Sequence, residues 1–406
     1  MACAPRRRHG LSIFRTSLLR RSCAVPRPNL HSSNHIIMIR KNNMKKFSVP
    51  LFGTPEAKIK HAQNLLKNGK TRRGMKQLHV LATAGNAEAQ FMLGELYMAD
   101  QDVPMNGNEA LRWFRQAAGQ HHTKACHRLG VLSYMGFSVS AEERATVFDM
   151  TLTQGKPDYA KALFWAERAA EGGDFDGMVL AAHLLTQGPE TLRDIVRGRA
   201  LYQHAAEGGN VQGLYGHGVA LLGAAQTPEE RRKAVAFIQQ ASTDGLPEAE
   251  LMLGTILEYE GGKDAQAFGY FMKAATQNHP AAQMKVGVAY YQGRGVERDV
   301  SKAETWLRKA AQGGEIEAIA LVGDINLQGD GVAPNFLEAH SWYRRAFEAG
   351  HVGAAVTLAQ LFYNGMGCET DHAEAKRLLD FAADHGSEKA IKLRQLFEVY
   401  SAQSIS

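Results

Sequence analysis

A short run of histidines and a cysteine is the most obvious candidate for chemistry in this sequence. The residues are His121, His122, Cys126 and His127. Imidazole nitrogen and thiolate sulfur are the zinc ligands of proteins. However, His279 and His351 occupy the same place in a repeated turn as His122, and Cys126 directly follows a position that is small in every repeat. A residue type that recurs at the same position of each repeat usually has a structural role in the repeat. We therefore predict structural roles for these histidines and the cysteine, and no metal site.

One further motif resembles a catalytic signature but stands in the wrong context, and another signature is missing from the sequence. Gly69-Lys70-Thr71 looks like the end of a phosphate-binding loop, but Asn64 stands where that loop needs its first glycine, and the preceding segment is basic and helical instead of a strand. The Ser-x-x-Lys motif of β-lactamases and penicillin-binding proteins does not occur in the sequence. We predict no catalytic residue and no cofactor.

The composition is that of an ordinary globular protein. Hydrophobic residues make up 45% of the 406 and charged residues 22%, which excludes collagen-like and mucin-like chains. No apolar run approaches the roughly 18 residues that a membrane-spanning helix needs, so we predict no membrane span. Four cysteines are too few for the disulfide framework of a secreted scaffold, which favours a reducing compartment.

The positive charge is concentrated at the amino terminus. Residues 1–50 hold 11 Lys or Arg and no Asp or Glu, which leaves 36 basic and 41 acidic residues for the rest of the chain. Because this body is mildly acidic, its charge predicts no nucleic-acid partner. The basic leader 1–50 has three interpretations: residues upstream of a true start at Met38 or Met44, a mitochondrial transit peptide, or a disordered arm. The first predicts a cytoplasmic protein, and the second predicts a mitochondrial one.

The body of the chain is periodic. Alanine-led pairs that end helix-like segments recur at spacings of 52, 36, 36, 33, 36, 36 and 36 residues. They begin at Ala117, Ala169, Ala205, Ala241, Ala274, Ala310, Ala346 and Ala382. A fixed period of this length is typical of repeat architectures. The repeat therefore has 36 residues, with one insertion of 16 and one deletion of three.

Each repeated position has a physical interpretation. All four tryptophans, Trp113, Trp165, Trp306 and Trp342, share one position, where the other repeats have Leu, Phe or Tyr. Two other positions are Ala or Gly in every repeat, and small side chains let helices approach closely. Apolar residues within a unit recur at spacings of three and four, as in a helix. Each unit is therefore predicted to be a hairpin of a helix A and a helix B.

The sixth unit carries the most recognisable pattern. Its repeated residues are Gly287, Tyr290, Gly293, Gly295, Asp299, Ala303, Trp306, Ala310, Ala311, Gly313 and Gly314. This pattern resembles the Sel1-like repeat, a relative of the tetratricopeptide repeat, and the resemblance extends over residues 87–387. The first five units lose the paired glycines of the inter-helix loop. The resemblance implies an all-α, right-handed α–α superhelical solenoid with a concave face, which acts as an adaptor or assembly scaffold.

The periodicity also divides the chain. After the basic leader 1–50 we expect an atypical N-terminal helical hairpin at 56–86, eight Sel1-like repeats over 87–386, and a C-terminal capping helix with a tail at 387–406. The insertion replaces the short loop of the second unit with residues 136–157. Insertions in solenoids serve recognition or are tolerated decoration, and the sequence does not distinguish the two.

The same resemblance implies where a partner would bind. In the tetratricopeptide superhelix the ligand groove is lined by helix A positions that correspond here to Glu88, Phe91, Glu95 and Met98. Tyrosine is a frequent contact residue at such sites. The candidate partner-binding residues are Phe91, Glu95, Met98, Tyr134, Tyr215, Tyr291 and Tyr363. The alternative for each of them is that it covers the next repeat.

The function predicted from the sequence is a non-catalytic scaffold or adaptor that binds a peptide or a helix of a partner protein on the concave face. Two alternatives remain. One is a hydrolase of the β-lactamase or penicillin-binding type, as reported for cysteine-rich relatives, although this chain lacks their paired cysteines. The other is a mitochondrial assembly factor.

Overall fold

The computed structural model describes residues 53–99, 106–137, 155–329 and 333–403, with side chains as far as residue 397. These residues form nineteen α-helices, one 3-10 turn at Glu190–Leu192 and no strand beyond the single bridge residue Phe137. The predicted all-α class is confirmed. The leader 1–50 and most of the insertion lie outside the described residues. None of the described helices has the length and apolarity to cross a membrane.

The helices follow one another as hairpins. The N-terminal hairpin consists of α1 (Pro55–Lys67) and α2 (Thr71–Thr83). The first four repeat units are α3 (Ala87–Met98) with α4 (Gly107–Gly119), α5 (Thr123–Tyr134) with α6 (Tyr159–Glu171), α7 (Phe175–Gln187) with α8 (Ile195–Glu207), and α9 (Val211–Ala224) with α10 (Pro228–Thr243). The next four are α11 (Pro247–Glu260) with α12 (Asp264–Thr276), α13 (Pro280–Gln292) with α14 (Val300–Gln312), α15 (Ile316–Gln328) with α16 (Phe336–Glu348), and α17 (Val352–Asn364) with α18 (His372–Asp384). The last helix is α19 (Glu388–Gln403). Contacts divide the chain within α10 into two compact halves, Met1–Ala234 and Val235–Ser406, which we describe separately.

The helix ends use the residues that the period places there. A residue in the left-handed region follows helix B in unit after unit, for example Gly173 at φ 84° and Gly350 at φ 91°. His121 and Asn278 take the same conformation at φ 60° where the repeat lacks glycine. This conformation lets the chain reverse and begin the next helix A after a turn of a few residues.

Small residues lie at two different contacts. Within a unit, a Cβ at Gly94 would come within 2.4 Å of the Phe114 ring on the partner helix, so this position sets the distance between helices A and B. Between units, a Cβ at Gly213 would lie 2.7 Å from Ala205 Cβ and 2.8 Å from the backbone nitrogen of Ala206 in the preceding helix B. Close approach of backbones therefore needs Ala or Gly at both places.

The tryptophan position is the large residue of the contact. Trp113 is 3% exposed in a cluster with residues of α1, α2 and α3, and Trp342 is 7% exposed. Trp165 and Trp306 are half-buried and pack on the clusters of α4 with α5 and of α12 with α13, respectively. A basic side chain lies over each indole ring; the pairs are Arg112–Trp113, Arg168–Trp165, Lys309–Trp306 and Arg345–Trp342. The four rings thus share a neighbouring cation, which supports a common register, but they differ in burial.

A hydrogen-bonded side chain joins the start of one helix A to the start of the preceding helix A. His122 Nδ1 accepts from the Ala125 amide at the start of its own helix, at 3.3 Å, and His122 Nε2 lies 2.9 Å from Glu88 Oε2. Because a backbone N–H donates to Nδ1, the proton sits on Nε2, which donates to the carboxylate. We call this arrangement a cap rung. The rungs are His122–Glu88, Asn210–Asp176 and His351–Glu317.

The paired glycines of the later units bring the inter-helix loop onto the preceding helix B. Gly295 has φ 70°, and a Cβ there would lie 2.2 Å from the backbone oxygen of Asp264. Gly367 has φ 75°, and its Cβ would lie 2.1 Å from the backbone oxygen of Phe336. Both the left-handed conformation and the contact distance therefore require glycine.

The two ends of the insertion meet at its base. The Gly155 amide donates to the Gly136 carbonyl at 2.9 Å, and the Asp158 amide donates to the Ser133 carbonyl at 3.0 Å. Helices α5 and α6 on either side remain packed against each other as in the other units. The extra residues therefore leave the hairpin of the second unit intact.

The contact between units can be tested with two glycines of the same helix. We expect Gly213→Ala to lower the free energy of unfolding by about 1–3 kcal/mol, because the new methyl group meets the backbone of the preceding helix. Gly223 has no atom within 4 Å of its virtual Cβ, so Gly223→Ala should leave stability unchanged or raise it by up to about 1 kcal/mol. Urea denaturation followed by circular dichroism measures both. Equal effects at the two sites would contradict the close contact.

The cap rung can be tested by reversal and rescue. Asn210 Oδ1 accepts from the Gly213 amide, and its Nδ2 donates to Asp176 Oδ1 at 2.8 Å. Asn210→Asp keeps the capping acceptor but sets two carboxylates against each other, so we expect a loss of about 1 kcal/mol. Asp176→Asn in that background should restore most of the stability. A double variant that shows the plain sum of two losses would exclude the rung.

Candidate functional site

The helix A surface, defined by the positions of Phe91, Glu95 and Met98, is the candidate site. In α3 all three residues are half-buried and engage other side chains. The Phe91 ring stacks on His122 with centroids 4.9 Å apart. Glu95 receives two hydrogen bonds from Arg128, at 2.6 Å from Nε and 2.7 Å from Nη2. Met98 packs against the cluster of α4 and α5.

Two of the seven candidates are core residues. Tyr134 and Tyr215 are each 7% exposed. The Tyr134 hydroxyl lies 3.2 Å from His183 Nε2, and its ring is edge-on to Tyr159. Side chains buried in this way have little surface to offer a partner, so we assign Tyr134 and Tyr215 to the contacts within and between repeats. The position in the repeat predicted which face of the helix carries these tyrosines, but it did not predict how deeply their side chains are buried.

The second half of the chain keeps two tyrosines on the helix A surface. Tyr291 is half-buried, its hydroxyl donates to Gln328 Oε1 at 2.6 Å, and the Arg298 guanidinium lies 5.6 Å from its ring centroid. Tyr363 stacks on Phe397 of α19 with centroids 3.8 Å apart. Each tyrosine therefore contacts the following helix A and keeps part of its ring accessible.

A charged pocket opens among α11, α12 and α13, and Gln292 in its lining directly follows Tyr291 in the chain. The pocket volume of about 320 Å³ includes the open solvent at its mouth. Glu258 stands at the Met98 position of its unit, and its carboxylate lies 2.7 Å from Lys285 Nζ and 3.3 Å from Arg294 Nη1. Asp264 lies 3.4 Å from Arg294 Nη2. The remaining wall is apolar and consists of Ala267, Phe268, Phe271, Val288 and Ala289, with Gln292 at the rim.

The sequence contained only part of this pocket. The groove positions identify Glu258. Lys285 and Arg294 belong to the next unit and do not lie at groove positions. The loop between α11 and α12 is the one shortened by three residues, and it runs only from Gly261 to Lys263. That deletion was the sequence signal for an irregularity at this place.

The histidine and cysteine run of the second unit is divided among separate structural tasks. His121 closes a helix, His122 forms a cap rung, and Cys126 is 2% exposed with its pKa raised by burial. Burial lowers the pKa of His127, whose Nδ1 lies 4.0 Å from an Asp174 oxygen. Within the described part of the chain, no group of three or more His, Cys, Asp or Glu side chains could hold a metal ion.

Two titratable groups on helix A, the half-buried Asp324 and the buried His183, are used for packing. The Asp324 carboxylate accepts a short hydrogen bond from the Tyr343 hydroxyl, and burial raises the pKa of Asp324. Burial lowers the pKa of His183 to about 4, so the imidazole is neutral in the folded protein at neutral pH. In the described residues neither is paired with a nucleophile, and both stabilise contacts between helices.

His183 makes the stability of the fold pH-dependent. The ordinary pKa of histidine is 6.5, and the pKa of His183 in the folded protein is about 4. Between these two pH values His183 is protonated in the unfolded chain but neutral in the folded chain, so lowering the pH favours unfolding. From pH 7 to pH 4.5 we expect the wild type to lose about 2–3 kcal/mol more unfolding free energy than His183→Gln. Parallel pH dependences of the two proteins in urea denaturation would contradict this.

The fold and the surface together define an α-solenoid of tandem two-helix units. The sequence profile of the Sel1 repeat matches residues 87–122, 123–145, 152–174, 176–210, 247–279, 280–315, 316–351 and 354–387. These segments cover more than half of the chain, and the chain belongs to the Sel1 repeat family. The second hairpin is matched in two segments around its insertion, and no matched segment covers α9 and α10.

Known relatives agree with this assignment. The crystal structure of c5321, a protective antigen of uropathogenic Escherichia coli with an SLR fold, superposes with a TM-score of 0.57 at 25% identity, covering 86% of this chain and 73% of that one. Sel1-repeat-containing protein YjcO of Escherichia coli K12 is 25% identical over 191 residues, 45% of this chain and 83% of YjcO. DAP3-binding cell death enhancer 1 of Rattus norvegicus is 35% identical over 88 residues, 21% of this chain and 17% of that protein.

Proposed function

We propose that this protein is a non-catalytic scaffold that binds a peptide or a helix of a partner protein on its helix A surface. Sel1 repeats build an interaction fold, and their matched segments cover more than half of this chain. The proposal rests most directly on the pocket formed by Glu258, Lys285 and Arg294. Tyr363 occupies an equivalent helix A position in the same half of the chain, and Phe91, Glu95 and Met98 occupy such positions in the first half.

The pocket suits one side chain of a partner. Its apolar wall, which includes Phe268 and Phe271, can bury carbon atoms, and its rim of paired charges can orient a polar end. Glu258 and Lys285 are a quarter to a third exposed, so they are partly desolvated before a partner arrives. Interfaces of this kind combine an apolar centre with a polar rim. A peptide crossing α11 and α13 would meet both.

One relative supports a protein as the ligand. The rat protein is named for binding DAP3, and it shares an 88-residue segment with this chain. Because that segment is a small part of the rat protein, we take from it only the class of ligand, a protein. The relative does not identify the partner of this chain.

The two alternatives have less support. In the described residues no serine or cysteine stands with a base and an orienting group as acyl-transfer hydrolysis requires, so a β-lactamase-like role has no site to rest on. A mitochondrial assembly role depends on the leader 1–50, which lies outside the described residues. We therefore keep the cytoplasm as the proposed location and a mitochondrial location as the alternative.

A photo-crosslinking amino acid at Gln292 tests the surface in the host cell. Gln292 is exposed at the rim of the pocket, whereas Gln312 is exposed at the end of a helix B. We expect a discrete protein adduct from Gln292 and none from Gln312. Tyr291→Ala should reduce the adduct at least about fivefold, as expected for an interface contact of about 1 kcal/mol or more.

Tyr270→Ala is the matched control for Tyr291→Ala. Tyr270 is a half-buried tyrosine on α12, at the tryptophan position and away from the helix A surface. We expect it to leave the adduct unchanged. An adduct that forms only from Gln312, or one that is insensitive to Tyr291→Ala while the variant keeps its melting temperature, would reject the helix A surface.

A further inference from the structure

The N-terminal hairpin α1–α2 carries the opposite charge to the repeats that follow. Residues 53–86 hold seven Lys or Arg and a single acidic residue, Glu56. Residues 87–406 hold 29 basic and 40 acidic residues. The computed pI near 9 therefore reflects the amino-terminal residues, and the first folded element continues the sign of the leader.

The basic side chains of the hairpin face solvent. Lys60, Lys67, Lys70, Arg72 and Lys76 are all exposed. None of these five lies within 4 Å of a carboxylate in the described chain, whereas Arg and Lys side chains in the repeats commonly do, as in the Arg128–Glu95 pair. Unpaired cations on one small element leave a local positive potential that can attract a polyanion.

The apolar side of the hairpin holds it in place. Ile59 and Ala62 of α1 join Leu78 and Leu81 of α2 in one buried cluster with α3 and Trp113. The turn between the helices is closed by the Lys70 amide, which donates to the Leu65 carbonyl at 2.9 Å. This turn brings Lys67, Lys70 and Arg72 to the same end of the hairpin. The positive surface is thus displayed by a docked element of the fold.

We propose that the N-terminal hairpin binds the anionic headgroup surface of a lipid bilayer. Five of its seven cations are lysines, which act as compact point charges and suit headgroups that rearrange around them, whereas arginine is the residue of bidentate phosphate recognition. Residues 53–86 contain no Phe, Tyr or Trp, so the hairpin has no platform on which nucleic-acid bases could stack. Clusters of four to eight Lys or Arg are typical of anionic lipid binding.

The charge of the acidic repeats determines which part of the protein faces an anionic bilayer. With 29 basic and 40 acidic residues, they are repelled by an anionic surface, so only the amino-terminal end can approach it. The helix A surface is not involved, and membrane docking is independent of the proposed partner binding. A scaffold held in this way would bring its partner to the membrane surface.

Vesicle co-sedimentation of the full chain tests the proposal. The probes are vesicles of phosphatidylcholine with and without 30 mol% phosphatidylglycerol, at 0.1 M salt. We expect binding only to the anionic vesicles, and a steep loss as salt rises. A variant with Lys67, Lys70, Arg72 and Lys76 changed to Gln should bind more weakly by on the order of a thousandfold, because each of the four cations near the surface contributes about 1 kcal/mol.

The matched control removes four exposed cations from the repeats. Arg115, Lys124, Arg199 and Arg232 are exposed, and changing them to Gln alters the net charge equally but leaves the hairpin intact. We expect this control to bind like the wild type, and both variants retain the leader. Equal losses in the two variants, or no loss in the hairpin variant, would overturn the proposal. Tighter binding to a 30-base-pair DNA duplex than to the vesicles, abolished by the hairpin changes, would also overturn it in favour of nucleic acid.

Discussion

The close contact between consecutive hairpins is the constraint on which the rest of this structure depends. Two helices alone cannot bury an apolar face, so each hairpin completes its core only against its neighbour. That contact is possible because Ala or Gly stands wherever one backbone approaches another, as at Gly213 against Ala205. A single large residue per unit, the Trp position, fills the space that remains. Stability in such a chain is largely a sum of neighbour contacts.

The same constraint explains why the groove positions are difficult to interpret. Helix A of one unit lies against helix A of the next, so a side chain on this surface contacts a neighbouring repeat before it meets any ligand. Glu95 binds Arg128, and Tyr363 stacks on Phe397, in this way. Open space for a partner side chain is therefore expected where regular stacking is disturbed. The shortened loop after α11 is such a place, and the charged pocket beside it is the result.

The distribution of charged side chains along the chain is not explained by the packing of the helices. The repeats neutralise many of their own cations in ion pairs between helices, while the N-terminal hairpin leaves its lysines unpaired. Ion pairs at exposed positions add only about 0–1 kcal/mol each, so their distribution has little effect on folding and is free to serve recognition. Partner binding on helix A and attachment at the amino-terminal end would then use different surfaces.

The sequence by itself determined the period, the two-helix unit, the positions of the small residues and tryptophans, and the family, because each of these depends on residue types that recur at fixed spacing. The sequence did not indicate the left-handed closure at His121, because His121 interrupts the pattern of glycines that follow helix B. The sequence did not determine how deeply each side chain is buried. Tyr134 and Tyr291 share one repeat position, yet the first is core and the second is half-exposed, because their neighbours on the next helix are His183 and Gln328. The pocket likewise needed tertiary structure, since Lys285 and Arg294 meet Glu258 only when two units are laid together and a short loop leaves the space open.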